Sequence, residues 1–147
     1  MNLIEDFKMK GELSVVVTGP DGKIKEQRFV PNLVVTVGKT YIASRMVGTS
    51  ATVMSHMAIG SGTTAVVVGN TTMESSLHRN ALTSFVSATN VVTAVASFAA
   101  GDGTGAVTEA GIFNDVTTGT MLCHTVFPVV NKEAGDSIAI TWAITVS

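Results

Sequence analysis

The last eleven residues alternate without a break. Ile138, Ile140, Trp142, Ile144 and Val146 take one side, and Ser137, Ala139, Thr141, Ala143 and Thr145 the other. A period of two over ten residues predicts a β-strand that turns its large side chains to a core. Shorter stretches of the same kind predict strands at 12–18, 24–30, 52–59, 83–88, 91–99, 107–114, 119–128 and 136–147. They are rich in Val and Thr, whose β-branched side chains suit a pleated surface. The first two form a hairpin across Gly19-Pro20-Asp21-Gly22, where Pro presets φ and Gly permits a positive one. In the second, Ile24, Glu26, Arg28 and Val30 alternate with Lys25, Gln27 and Phe29, so this strand belongs at an exposed sheet edge.

Leu33 to Val37 reads as a short strand or as the lead into a helix. Tyr41, Ile42 and Arg45-Met46 follow helical spacing, which predicts a helix from Gly38 to Val47 with Gly48 ending it. A second short helix is predicted from Met73 to Arg79, with Thr72 as its N-cap. Residues 1–10 read as an arm in which Leu3 and Phe7, four apart, share a face. The expected architecture is all-β: a β-sandwich or jelly roll of about eight strands, with one or two short helices and an N-terminal arm. The arm is residues 1–10, and residues 11–147 form a single domain.

Composition narrows the function. The chain has 147 residues and one cysteine, Cys123, which excludes a disulfide framework and a cysteine-based zinc site. Its net charge of −2 argues against a nucleic-acid binder that works through a positive field. No apolar run reaches the roughly 18 residues of a membrane span. The N-terminal sequence lacks the basic and apolar regions of a signal peptide, so synthesis in the host cytoplasm is expected. Charges make up 14% of the chain and crowd its start: 12 of the 20 lie in positions 1–45. The remaining body is unusually poor in charge, as the centres of protein–protein interfaces are. Ala65-Val66-Val67-Val68, bounded by Gly62 and Gly69, is either a buried strand or an exposed contact that a partner covers.

Catalytic chemistry finds little support. Gly38-Lys39-Thr40 follows a strand and opens a helix, like the end of a phosphate-binding loop, but Leu33 stands where the pattern needs its first glycine. Gly101 to Gly105 offers only Asp102 as a carboxylate, too little for calcium. Cys123 and His124 are adjacent on a strand and point to opposite faces, so they cannot pair as nucleophile and base. Cys123 shares its face with Met121, Thr125 and Phe127, a core pattern. His56 and His78 have no spaced partner. The reading is no catalytic residue, no cofactor and no metal.

Several segments, in order, resemble small structural proteins of tailed-bacteriophage virions. They are Pro31 to Lys39 followed by Ile42 to Met46, then Met57 to Ala65, Thr108 to Asn114, and Lys132 with Gly135-Asp136 through Trp142. The resemblance covers residues 31–147. It implies a β-sandwich virion part without enzymatic activity, either a capsid decoration (cement) protein or a tail or fibre-attachment component. On this reading the partners are the major capsid protein and further copies of the chain, as a dimer or trimer, with neither nucleic acid nor membrane. The place of action is the capsid surface of the virion. Leu3, Ile4, Phe7 and Met9 of the arm are expected to dock on a neighbour, and Val66, Val67 and Val68 form a second possible contact. A carbohydrate-binding adhesion module is the alternative of another class. Its aromatic platform would have to come from Tyr41 or Trp142, and Trp142 lies on the inward face of its strand.

Overall fold

A computed structural model describes residues 8–48 and 52–147. Its elements are β1 (Met9–Thr18), β2 (Ile24–Pro31), β3 (Leu33–Val34), α1 (Thr36–Met46), β4 (His56–Gly60), β5 (Ser76–Ala81), β6 (Ser84–Ala88), β7 (Val91–Phe98), β8 (Gly105–Phe113), β9 (Met121–Lys132) and β10 (Ser137–Val146). They form two five-stranded antiparallel sheets, in the orders β2-β1-β10-β7-β6 and β3-β9-β8-β4-β5. The chain is thus an all-β sandwich. Among the described residues no helix is long and apolar enough to cross a membrane.

β10 is the centre of the first sheet because its alternation is the cleanest. It pairs with β1 from Met9↔Val146 to Thr18↔Ser137 and with β7 on its other side. Ile138, Ile140, Trp142 and Ile144 are all buried, facing Leu13, Val15 and Val17 of β1 and Ala94, Ala96 and Phe98 of β7. The small Ala94 lies directly opposite Trp142, which leaves room for the indole. The second sheet closes this core with Met57, Ile59, Val107, Ala110, Ile112, Cys123, Phe127 and Val130. Its other face carries a smaller cluster of Val35, Ala58, Met73, Phe113 and Met121. Side chains at alternate positions of β4, β8 and β9 therefore feed two apolar layers.

Four expectations need correction. Met9 and Lys10 are not part of an arm. They continue the β1–β10 ladder, which extends to Lys8, whose N–H and carbonyl pair with Ser147 at 2.7 and 2.8 Å. Met9 is half-buried and packs against the main core. Residues 73–79 hold no helix: Ser76–Ala81 pairs with β4, and long-range pairing overrides the i, i+4 spacing of Met73 and Leu77. The strand expected at 52–59 begins at His56. With β3 and β5 included, the strands number ten.

α1 is held from both ends. Val35 at its start offers no side-chain cap, and the N–H of Thr36 donates instead to the carbonyl of Val68 at 2.7 Å. At the other end Gly48, at φ +71°, donates to the carbonyl of Arg45. Gly38 faces β9 so closely that a Cβ there would collide with the carbonyl of Leu122. Its role is close helix–strand packing, not phosphate binding, and Lys39 beside it is exposed.

Candidate functional site

The feature with the most built chemistry is the long loop from Ser61 to Ser75, between β4 and β5. Its backbone is gathered on one buried carboxylate. Glu109, on β8, is fully buried. Its Oε1 accepts from the N–H of Gly62 at 3.1 Å and of Ser75 at 2.7 Å, and its Oε2 from the N–H of Glu74 at 3.1 Å. Its Oε2 also lies 2.8 Å from Nε2 of His124, itself buried on β9. Thr108 donates to the carbonyl of Gly62 at 2.6 Å. A Cβ at Gly62 would come within 2.6 Å of Glu109 Oε1, so a glycine is needed for the approach. Burial alone would push the Glu109 carboxyl up. The hydrogen bonds from His124 and from the three backbone N–H groups outweigh it and hold the group below its ordinary range.

The network continues outward. Nδ1 of His124 lies 3.1 Å from Oδ1 of Asn70, the same oxygen that accepts the N–H of Val67 at 2.9 Å. The Val67 N–H can only donate, which fixes oxygen rather than nitrogen on that side of the amide. Both ring nitrogens of His124 therefore face oxygen atoms, Oδ1 of Asn70 and Oε2 of Glu109. Through these contacts the network clasps the loop onto β8 and β9.

What the clasp holds is apolar. Val67 and Val68 are 57% and 50% exposed, while Val66 is half-buried and none of the three is in a strand. The buried-strand reading of this run does not hold: the segment is a loop that exposes Val67 and Val68. The Val68 carbonyl is the acceptor of the α1 N-terminus described above, so the valines stand at one end of α1. At the other end Met46 and Val47 are 84% and 82% exposed. Alongside α1 runs a groove of about 660 Å³, with Met9, Leu33, Val34 and Ile42 among its walls and Lys10 and Lys39 beside them. The chain enters the first sheet at this groove. Leu3, Ile4 and Phe7 lie outside the described residues.

The other residues singled out from sequence are accounted for by packing. Cys123 is buried in the core, and burial pushes its thiol well above the usual range, which makes it inert as a nucleophile. His56 bonds to Ser55 at 2.8 Å, and His78 to Asn80 at 2.9 Å with its ring edge-on to Phe98. Trp142 is buried, and Tyr41 is half-buried, packed in part on the core. Among the described residues no three His, Cys, Asp or Glu side chains gather as they would around a metal ion. The Glu109–His124 contact was not anticipated from sequence. Its signal was the register of two adjacent strands, in which Gly111 pairs with His124 and Glu109 with Val126. Comparison with protein-family models, curated proteins and solved structures finds no match for the chain.

Proposed function

We propose that this chain is a non-enzymatic structural protein of a tailed-phage virion, a decoration (cement) protein that binds the outside of the major capsid protein shell and stabilises it. The observation that carries the reading is the pair of apolar projections at the two ends of α1, Val67-Val68 and Met46-Val47, mounted on a body that is poor in charge. The helix is 11 residues long, so the projections are separated by roughly 16 Å along its axis. Exposed apolar groups held rigidly are suited to burial under a partner, at roughly 25 cal/mol per Å² of apolar area removed from water. The segments that carry the phage resemblance support it further. Met57 to Ala65 covers most of β4 and the start of the clasped loop, Thr108 to Asn114 covers most of β8, and Pro31 to Lys39 with Ile42 to Met46 covers β3 and most of α1.

A clamp of this kind works by repetition. Packaged DNA presses the shell outward, and each bound copy raises the barrier to separating neighbouring capsid subunits. Many modest contacts supply the effect together. Leu3, Ile4 and Phe7, ahead of the first strand, would add a tether to a neighbour, and the apolar burial must exceed the entropy of ordering the segment.

The test is the copy number of the chain in purified virions, measured by quantitative mass spectrometry against the major capsid protein. Hundreds of copies per particle are expected. A dozen or fewer would move the protein to the tail, and none would remove the virion reading.

A further inference from the structure

Three of the four sheet edges are protected against pairing with another strand. β2 carries Lys25, Glu26 and Arg28 and ends on Pro31, β3 is two residues long, and β5 carries His78 and Arg79. Charge, proline and shortness are the usual guards of an edge. β6, at the other edge of the first sheet, has none of the chemical ones. Its sequence is Ser84-Phe85-Val86-Ser87-Ala88, all five residues are exposed, and no charged residue occurs from Asn80 to Gly101.

The backbone of β6 also has a defined polarity. β6 and β7 are joined by Thr89-Asn90, with Thr89 at φ +55°, and Ala88 pairs with Val91. A two-residue hairpin closes on a doubly hydrogen-bonded pair, and such pairs recur at every second residue. The next is Val86↔Thr93. The N–H and carbonyl groups of Phe85 and Ser87 therefore point away from β7, outward from the edge.

We propose that β6 pairs antiparallel with β6 of a second copy, about a two-fold axis at Val86, and so joins two five-stranded sheets into one of ten. Phe85 of each copy then exchanges both backbone hydrogen bonds with Ser87 of the other, and every outward group of the pair is satisfied. Val86, 60% exposed, meets its own counterpart across the axis. Phe85, opposite the buried Ala94, stays on the core side of the extended sheet. The strand is its own complement in register, and no charge is buried by the union, which is why a second copy is the occupant rather than a strand of different composition. The proposal specifies the dimer or trimer that the sequence resemblance implies and needs no shell.

The test uses the full chain. Sedimentation velocity between about 1 and 100 µM should show a monomer–dimer equilibrium. Val86→Lys places two ammonium groups opposite each other and should leave only monomer, with the melting temperature of the parent at concentrations where the parent is itself monomeric. Val86→Cys should give a covalent dimer on mild oxidation: a non-hydrogen-bonded antiparallel pair puts the Cα atoms about 4.5 Å apart, within disulfide reach. Ser84→Cys, which would face Ala88 of the other copy, should not cross-link. Monomer throughout the range, a dimer that survives Val86→Lys, or cross-linking through Ser84→Cys in place of Val86→Cys would overturn the proposal. None of those results would alter the copy number per virion, so the two readings fail separately.

Discussion

Glu109 and His124 meet diagonally across the β8–β9 ladder, Oε2 to Nε2 at 2.8 Å, with Gly111 directly opposite His124. Through Asn70 that contact reaches the backbone of Val67. An exposed valine loop is thus tied to a carboxylate in the protein interior. The arrangement reconciles two opposing demands. Apolar groups offered to a partner must be exposed, and a contact is tighter when the loop that bears them needs no ordering on binding.

Replacing Glu109 with alanine should therefore damage the loop and the body together. The substitution leaves three backbone N–H groups and the His124 ring without their acceptor. Leaving buried donors without their acceptor costs about 1–3 kcal/mol, and at this chain length each kcal/mol lowers the melting temperature by about 2–4 °C. Calorimetry should find that loss, and hydrogen exchange should accelerate at Gly62, Glu74 and Ser75. Unchanged protection of those three amides would show that the clasp does not hold the loop.

Acid should act on the same group. The Glu109 carboxyl lies below its ordinary range in the folded chain, and so does that of Asp136, which Lys25 contacts at 2.8 Å and the N–H of Glu133 at 2.9 Å. A carboxyl with a depressed folded value contributes stability that is fully present above its unfolded value and is lost as pH falls through the folded one. The melting temperature should then hold down to about pH 5 and drop below about pH 4, where unfolded carboxyls begin to bind protons. Glu109→Ala should flatten that acid limb in thermal melts taken from pH 7 to pH 3. An equally steep limb in the variant would assign it to other carboxyls.

Much of the sandwich could be read from the chain because its strongest signals are local. β10 announces itself by alternation, and the β1–β2 hairpin by Gly19-Pro20-Asp21-Gly22. The segment 73–79 misled because Met73 and Leu77 are four apart, as on a helix. In the structure they serve different apolar clusters, Met73, within the clasped loop, in the smaller one and Leu77 against the main core. Register is what local pattern cannot supply. Cys123, Thr125 and Phe127 are buried as their alternation implies, yet a shift between Ile112 and Phe113 sends Met121 to the second cluster. A further shift between Val107 and Glu109 leaves Val107 facing the main core while Glu109, opposite Val126, takes the other face with His124. That placement depends on pairing between strands, so a buried Glu–His pair at a distance of fifteen residues had no local mark.

Gly38 offers a test of the helix mount. Gly38→Ala drives a methyl group into the Leu122 carbonyl, which is backbone and cannot swing aside. Overpacking of this kind costs about 1–3 kcal/mol, even though alanine is the better helix former. Gly69→Ala is the matched control, because nothing lies within 4 Å of its added carbon. Chemical denaturation should show a lower midpoint for Gly38→Ala and little change for Gly69→Ala. Equal midpoints would mean that α1 can retreat from β9 at no cost.

Two truncations separate tether from body. Met9 and Lys10 belong to the β1–β10 ladder, facing Val146 and Thr145, whereas residues 1–7 precede it. Removing residues 1–7 should leave the melting temperature within a few degrees of the parent, while occupancy on purified particles, read by densitometry against the major capsid protein, falls. Removing residues 1–10 strips the ladder's first pairs and the Met9 contact with the core, so it should lower the melting temperature as well. Loss of stability in the shorter deletion would make residues 1–7 part of the fold. Full occupancy with residues 1–7 absent would confine docking to the ends of α1, where Val67-Val68 and Met46-Val47 remain exposed.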